Sequence, residues 1–211
     1  MLTIEFIRHG ETEYNITGRV QGQLDIPLND NGRLQSTLLA NRFRGAKFDI
    51  LYTSDLSRTY ETATILASHH TSTKLVKDAR LRERSFGKYQ GHTLSREERH
   101  GHLEGVESLD EMYTRCLDFY DEIIKPLSQL PGDKAIAVVS HGALLSVFLR
   151  QVLLNKMQFK LAEGVKPSSL SNTSVTKAIM NSNNQGYLLS WSDDAHLTVH
   201  KELDNADEVA M

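Results

Sequence analysis

Residues 135–145 read AIAVVSHGALL, and the first five of them form the most strand-like run in the chain. A strand without polar residues is typical of the middle of a parallel sheet that is covered on both faces. Ser140, His141 and Gly142 follow the run directly, and residues 143–154 have the apolar spacing of a helix. The stretch therefore predicts a buried central strand that leads through a short polar turn into a helix.

The beginning of the chain has the same arrangement. Residues 2–8 read LTIEFIR and predict a buried strand, which runs straight into HGETEYN at residues 9–15. Further strands are expected at 48–54 and 74–78, with a helix at 56–68 between them. Because strands alternate with helices, this order predicts an α/β fold with a mostly parallel central sheet.

Four further regions complete the predicted order of elements. The residues NDNG at 29–32 cap a helix, and a long amphipathic helix is expected at 108–127. The polar, glycine-containing residues 87–105 predict a short cap over the surface. The last third of the chain predicts strands at 174–180, 187–191 and 197–200. No boundary divides the sequence, so we expect a single domain over residues 1–211.

The composition excludes several classes of protein. With 39% hydrophobic residues, 24% charged residues and a net charge of -3, the chain is typical of a folded domain that binds neither nucleic acid nor an acidic surface. Its single cysteine, Cys116, excludes a disulfide framework and suits a reducing compartment. We find no signal peptide and no run of about 20 apolar residues, so we expect a cytoplasmic protein without a membrane partner.

Charged and histidine residues follow four of the predicted strands. Ligands of open α/β sheets bind beyond the carboxyl ends of the strands, so these residues are the candidates for a site. They are Arg8 and His9 after the first strand, Arg58 after the second, Glu83 after the third and His141 after the fourth. We expect all five to line one edge of the sheet.

These residue types suit the transfer of a phosphoryl group. Two arginine forks can neutralise a phosphate dianion, and a neutral imidazole can attack phosphorus to form a phosphohistidine. A carboxylic acid such as Glu83 can protonate the departing alkoxide, and Gly142 begins a helix whose N-terminus attracts anions. Each residue alone also fits an ordinary surface role, since Arg58 can lie in solvent and Glu83 can pair with the arginines beside it. The combination of all four strand ends favours phosphate chemistry.

Six segments of the chain resemble the histidine phosphatase superfamily, which includes cofactor-dependent phosphoglycerate mutases and fructose-2,6-bisphosphatases. They are FIRHGETEYN (6–15), GRVQGQLDIPLNDNG (18–32), LYTSDLSRTYETA (51–63), LRERSFGKYQG (81–91), VVSHGALL (138–145) and SNTSV (171–175). The resemblance implies a three-layer α/β/α sandwich. It further implies His9 as the nucleophile, a phosphate pocket of Arg8, Arg58 and His141, Glu83 as the proton donor, and substrate contacts from Asn15, Gln21 and the Gly142 backbone.

Within that family the sequence favours hydrolysis over a mutase reaction. A mutase must keep water from its phosphoenzyme, and mutases of this family generally carry a longer insertion over the site. Only the 58 positions from 83 to 141 are available here, and the predicted helix uses about twenty of them. The chain is more similar to the small phosphatase branch, which includes fructose-2,6-bisphosphatase-like and broad-specificity phosphatases. A phosphoglycerate mutase, a sugar bisphosphatase and a phosphate-binding module without turnover stay open as alternatives.

The expected partner is a small phosphorylated metabolite, and the oligomeric state is left open. Basic residues of the cap are candidates for a second phosphate site: Lys88, Arg96, Arg99, His100 and His102. Four interleaved glutamates nearly balance their charge, which favours a solvated cap. No histidine pair has the spacing of a metal site with a carboxylate base, so we expect no metal and no cofactor.

Overall fold

The computed structural model describes residues 1–95, 97–98 and 103–198 of the chain. Its strands are β1 (Leu2–Arg8), β2 (Ile50–Thr53), β3 (Lys74–Lys77), β4 (Lys134–Ser140), β5 (Lys160–Leu161), β6 (Val175–Met180) and β7 (Gly186–Leu188). Its α-helices are α1 (Glu13–Ile16), α2 (Asp30–Arg42), α3 (Ser57–Ala67), α4 (Leu109–Phe119), α5 (Lys125–Gln129) and α6 (Gly142–Val147). Two π-helical stretches, Tyr120–Ile124 and Phe148–Lys156, continue α4 and α6, and 3-10 turns lie at Ala79–Leu81 and Gly87–Tyr89.

Seven strands in the described part of the chain form one sheet in the order β3-β2-β4-β1-β6-β7-β5. β6 pairs antiparallel with both of its neighbours, and the other pairings are parallel. The apolar strand β4 lies between β2 and β1, as predicted from its lack of polar residues. Arg8 stands opposite Ser140, so the carboxyl ends of β1 and β4 are level with each other. The predicted α/β fold with a mostly parallel sheet is confirmed.

Helices cover both faces of the sheet. On one face, Phe6 and Val138 pack in a core with Phe119 and Phe148 from the helices that follow β3 and β4. On the other face, Ile7 and Val139 of the same two strands pack with side chains from α2 and α3. Successive strand residues point to opposite faces, which is why neighbouring side chains belong to different cores. The arrangement is a three-layer α/β/α sandwich.

The C-terminal strand prediction is wrong. Residues 195–198 are helical where a strand was expected at 197–200, and positions 199 and 200 lie outside the described residues. Asp193 Oδ1 accepts a hydrogen bond from the Ala195 backbone N–H at 3.1 Å, and Leu197 N–H donates to Asp194 O at 2.9 Å. An aspartate that binds the backbone ahead of it favours a helical turn over an extended chain. This local bond outweighs the strand-like composition.

Other differences are smaller. β7 is shorter than predicted, and the long helix at 108–127 contains the π-helical stretch Tyr120–Ile124. The helix after residues 29–32 begins as expected, with Asn29 accepting a hydrogen bond from Gly32 N–H at 2.7 Å. No helix in the described residues is both long enough and apolar enough to cross a membrane.

Candidate active site

A cavity of about 1320 Å³ lies at the carboxyl ends of β1, β2 and β4. Seven of the eight predicted site residues line it: Arg8, His9, Asn15, Gln21, Arg58, Glu83 and Gly142. The eighth, His141, lies directly behind, with its ring centroid 5.2 Å from that of His9. The structure therefore brings all eight predicted residues together at one edge of the sheet.

His9 is held in one neutral form. Its backbone N–H donates to Ser140 O at 2.9 Å, and the ring is almost completely buried. The ring Nδ1 lies 2.6 Å from the carbonyl oxygen of Gly10. A carbonyl can only accept, so Nδ1 carries the proton and Nε2 carries the lone pair. Burial lowers the pKa of His9 well below the usual value of 6.5, and the nearby Arg58 and Arg8 lower this pKa further.

His141 is held in the opposite form by Arg58. Arg58 is fully buried and donates from Nε to His141 Nδ1 at 3.2 Å. A guanidinium can only donate, so the proton of His141 is on Nε2. This buried Nε2 has no hydrogen-bond partner among the described residues. Burial, with Arg58 as the second cause, lowers the pKa of His141 well below 6.5.

Arg58 itself is bound on every side of its guanidinium. Besides the bond to His141, it donates to the carbonyl oxygens of Leu24 at 2.8 Å and Gly22 at 2.7 Å. Burial lowers the pKa of Arg58 to about 10, which still leaves it charged at neutral pH. Arg58 is therefore a fixed cation at the floor of the cavity.

Arg8 lies against the start of α6. Its Nη1 donates to Leu170 O at 2.6 Å, whereas its buried Nε has no partner within residues 1–95, 97–98 and 103–198. A Cβ at Gly142 would lie 3.4 Å from this Nε, an ordinary contact distance, so the guanidinium packs directly against the first residue of the helix. Burial lowers the pKa of Arg8, and the charge of Glu83 opposes this shift.

The Glu83 carboxylate binds the first N–H groups of α6. Oε2 accepts from Ala143 N–H at 3.1 Å, and Oε1 accepts from Leu144 N–H at 3.1 Å and from Arg84 N–H at 2.9 Å. Unpaired N–H groups and the helix dipole favour an anion at this position. The N-terminus of α6, which the sequence predicts to attract a phosphate, therefore also positions Glu83.

Arg115 on α4, which the sequence did not indicate, holds the segment that carries Glu83. Its guanidinium donates to the carbonyl oxygens of Arg80 and Arg82, both at 2.6 Å, and of Glu83 at 3.2 Å. It also forms an ion pair with Glu107 at 2.6 Å. Arginine in a long amphipathic helix is usually solvated, so no sequence signal distinguished this one.

The neighbouring residue Cys116 is buried and packs as a small hydrophobic side chain. Burial raises the pKa of its thiol to about 12.

Asn172 and Thr173 hold the backbone of the nucleophile segment. Asn172 Nδ2 donates to His9 O at 2.9 Å, and Thr173 N–H donates to Arg8 O at 3.0 Å. Thr173 has φ = 55°, a left-handed conformation that costs a β-branched residue about 1–3 kcal/mol. The motif SNTSV contains both residues, but no physical feature of that motif indicated that they lie at the site.

Asn15 and Gln21 turn their amide oxygens toward Thr12. Thr12 N–H donates to Asn15 Oδ1 at 3.1 Å, and Thr12 Oγ1 donates to Gln21 Oε1 at 2.9 Å. Both amides line the cavity. Their contact with a substrate stays a prediction.

The second-phosphate candidates in the cap are mostly outside the described residues, namely Arg96, Arg99, His100 and His102. Lys88 lies 3.8 Å from Glu104 in an exposed ion pair. In the described ranges, no group of three or more His, Cys, Asp or Glu residues has the arrangement of a metal site. The assignment of residues 87–105 to a cap stays a prediction.

A model of the histidine phosphatase superfamily (branch 1) matches residues 4–194. The chain belongs to the histidine phosphatase superfamily. Phosphoglycerate mutase-like protein 4 from Arabidopsis thaliana is 32% identical over 219 residues, which cover 92% of this chain and 86% of that protein. The metal-independent phosphoserine phosphatase from the same plant is 29% identical, and the match covers 92% of this chain and 83% of that protein.

A solved structure of a phosphatase has a similar fold. The phosphoserine phosphatase from Entamoeba histolytica, in complex with 3-phosphoglyceric acid, superposes with a TM-score of 0.70. Its sequence is 28% identical, and the match covers 93% of this chain and 100% of that one. The predicted superfamily is confirmed, and named phosphatases among the relatives agree with the predicted enzyme class.

Proposed function

We propose that the chain is a phosphomonoesterase that hydrolyses small phosphorylated metabolites through a phosphohistidine on His9. The observation that carries this proposal is the pair of buried histidines with opposite tautomers. One presents a lone pair on Nε2 and the other presents an N–H on Nε2. The first suits attack on phosphorus, and the second suits the binding of a phosphate oxygen.

The phosphate is bound by donors that lack partners in the described residues. Arg8 Nε and His141 Nε2 are both buried and unbonded, which is costly unless a ligand completes their hydrogen bonds. Arg58 adds a fixed positive charge beside them. These donors bind the three equatorial oxygens more strongly as charge develops there during transfer.

Bond formation and cleavage follow from this placement. His9 Nε2 attacks phosphorus, and the bond from phosphorus to the ester oxygen breaks. Glu83, as the general acid, gives a proton to the departing oxygen. The phosphorylated ring is cationic and keeps its Nδ1–H on Gly10 O. In the second step, Glu83 takes a proton from water, the hydroxide attacks phosphorus, and the P–N bond breaks to restore neutral His9.

Hydrolysis is favoured over a mutase reaction because a short segment separates Glu83 from His141, which leaves little chain to exclude water. Phosphatases among the relatives support the same choice. A mutase would instead interconvert phosphoglycerates and require 2,3-bisphosphoglycerate as a primer. The compartment stays a prediction.

The test is to trap the intermediate. Wild-type protein, mixed with a radiolabelled phosphomonoester and quenched, should retain an acid-labile, alkali-stable label that His9→Ala lacks. His70→Ala is the matched control, because His70 is also a buried histidine but lies against Phe48, away from the cavity. Wild-type turnover by His9→Ala would refute the mechanism, and phosphate binding without hydrolysis of any substrate would favour a binding module.

A further inference from the structure

The cavity extends well beyond the phosphate-binding residues, and its outer part is basic. Positively charged side chains of the described lining are Arg8, Arg19, Arg58, Arg84, Arg150 and Lys156. The described carboxylates of the lining are Glu83 and Asp110. A phosphate dianion at Arg8 and Arg58 therefore leaves the rest of the lining with a positive charge, which a second anionic group would balance.

Arg150 is the best-positioned of the outer cations. Its guanidinium carbon lies 4.9 Å from the Trp191 ring centroid, and its Nη2 donates to Ser168 O at 3.1 Å. The Trp191 indole N–H donates to the same oxygen at 3.0 Å. The Arg150 guanidinium is therefore held by both the Trp191 ring and the Ser168 carbonyl oxygen. Within the described residues, Arg150 has no carboxylate at ion-pair distance. A fixed guanidinium without a carboxylate is preorganised to bind an anion.

The other outer cations are less suited to this role. Arg84 donates from Nε to Glu107 O at 2.7 Å, and its guanidinium lies over Phe86. Arg19 is exposed and lies over Tyr14, and Lys156 is an exposed flexible side chain. Flexible exposed side chains lose more entropy when they bind than a fixed guanidinium does.

The distance from Arg8 to Arg150 is limited by the segment between them. Arg8 binds the carbonyl oxygen of Leu170 and Arg150 binds that of Ser168, two residues earlier. Two residues of extended chain span at most about 7 Å, so the guanidinium groups lie within roughly 13 Å of each other. Ser168, Ser169 and Leu170 all line the cavity between them. A small organic molecule with an anion at each end spans this distance.

We infer that Arg150 forms a second anion site, which selects phosphomonoesters with a carboxylate or second phosphate remote from the ester phosphate. The inference rests on the proposed function and specifies its substrate class. The site lies on the helix that follows β4, whereas the sequence suggested basic residues of the cap.

Three aryl phosphates test the inference. In 4-carboxyphenyl phosphate, a rigid ring separates the ester from a carboxylate. In 4-carbamoylphenyl phosphate, a neutral amide replaces that carboxylate, and in 4-(phosphonomethyl)phenyl phosphate, a non-hydrolysable phosphonate replaces it. The wild-type kcat/KM for each anionic compound, divided by that for the amide, should be about 10 to 100, as expected for a charge-assisted hydrogen bond. If the carboxylate compound has the larger ratio, the second anionic group of the substrate is a carboxylate; if the phosphonate compound has it, that group is a phosphate.

Variants then assign the preference to Arg150. Arg150→Gln should reduce the ratio to near one, and Arg150→Lys should retain part of it. Arg44→Gln, which removes an exposed arginine bonded to Asn41, should keep the wild-type ratio. A wild-type ratio near one, or an equal loss of all three activities in Arg150→Gln, would overturn the inference, because Arg150 would then only support the 168–170 segment. If wild-type protein hydrolyses none of the three compounds, the proposed function itself fails and the inference fails with it.

Discussion

The carboxyl ends of β1 and β4 carry similar residues in similar surroundings. Each strand ends beside a buried histidine followed by glycine, and the two strands are parallel neighbours with Arg8 opposite Ser140. Nδ1 of His9 donates to a carbonyl oxygen, whereas Nδ1 of His141 accepts from a guanidinium. The partner of one nitrogen therefore decides whether the other nitrogen is a nucleophile or a donor.

The glycines at the two strand ends differ as well. A Cβ at Gly10 would lie only 2.5 Å from Gly32 O, so this glycine is required for close packing against α2. A Cβ at Gly142 would make only an ordinary contact with Arg8, at 3.4 Å, and Gly142 begins the helix whose N–H groups bind Glu83. Under the proposed mechanism, the β1 end supplies the nucleophile, and the β4 end supplies the donor and supports the acid.

The largest expected effect separates the two histidines. His9→Ala should abolish the phosphoenzyme and reduce turnover by about 10⁴-fold or more, because the attacking atom is absent. His141→Ala should still form a phosphoenzyme, at a rate lower by about 10²- to 10³-fold, because only one donor to the phosphate is lost. Rapid-quench measurements of labelled protein check both. Equal loss of phosphoenzyme in the two variants would contradict the division of roles.

A second substitution tests whether Glu83, which binds the start of α6 beyond β4, is the acid. Glu83→Gln should lower kcat for an alkyl phosphate by about 10²- to 10⁴-fold, because an alkoxide departs slowly without a proton. With 4-nitrophenyl phosphate the loss should stay below about tenfold, since nitrophenolate departs unaided. Steady-state kinetics on the two substrates give the comparison. An equal loss on both would show that Glu83 does not protonate the leaving group.

Arg115 should affect the same step more weakly. Arg115→Met releases the carbonyl oxygens that fix the Glu83 segment, and a small displacement of the acid should cost about tenfold on the alkyl phosphate. The nitrophenyl ester should be much less affected. Arg33→Met is the matched control, because Arg33 forms an ion pair with Glu61 at 2.7 Å on the surface. If both substrates lose activity equally, Arg115 has only a general structural role.

The smallest expected effect is on the pH dependence of stability. Burial lowers the pKa of both histidines in the folded state, so at pH values just below about 6.5 the unfolded chain binds protons that the folded chain does not. The free energy of unfolding should therefore fall as the pH decreases through this range. Urea unfolding at several pH values measures the slope, which should be smaller in His141→Ala. A slope unchanged by this substitution would mean that His141 titrates normally.

Residues on strand ends could be predicted from the sequence, because a strand fixes the direction of its last side chains. Arg8, His9 and His141 all follow apolar runs whose parallel pairing brings them to one edge. Glu83 lies on an irregular segment, and its position depends on bonds to Arg115 and to the start of α6. Such long-range contacts leave no periodic pattern in the sequence, so the residues that position Glu83 could not be predicted.

Apart from the family resemblance, nothing in the sequence distinguished the roles of the two histidines. Both are followed by glycine, and the bond from Arg58 that distinguishes them joins residues 83 positions apart. The π-helical stretch in the long helix and the helical turn at 195–198 also depend on local bonds rather than on apolar spacing. Apolar spacing indicates which residues are buried, but it does not indicate which hydrogen bonds they make once buried.

The position of Cys116 allows its reaction with a thiol reagent to report the motion of α4. It is the single cysteine, it is buried, and it is adjacent to the arginine that holds the Glu83 segment. A thiol reagent reaches it only when α4 separates from the core, so the labelling rate measures how often that opening occurs. Substrates or inhibitors that tighten the closed state will slow the labelling, and no cysteine needs to be added or removed to observe it.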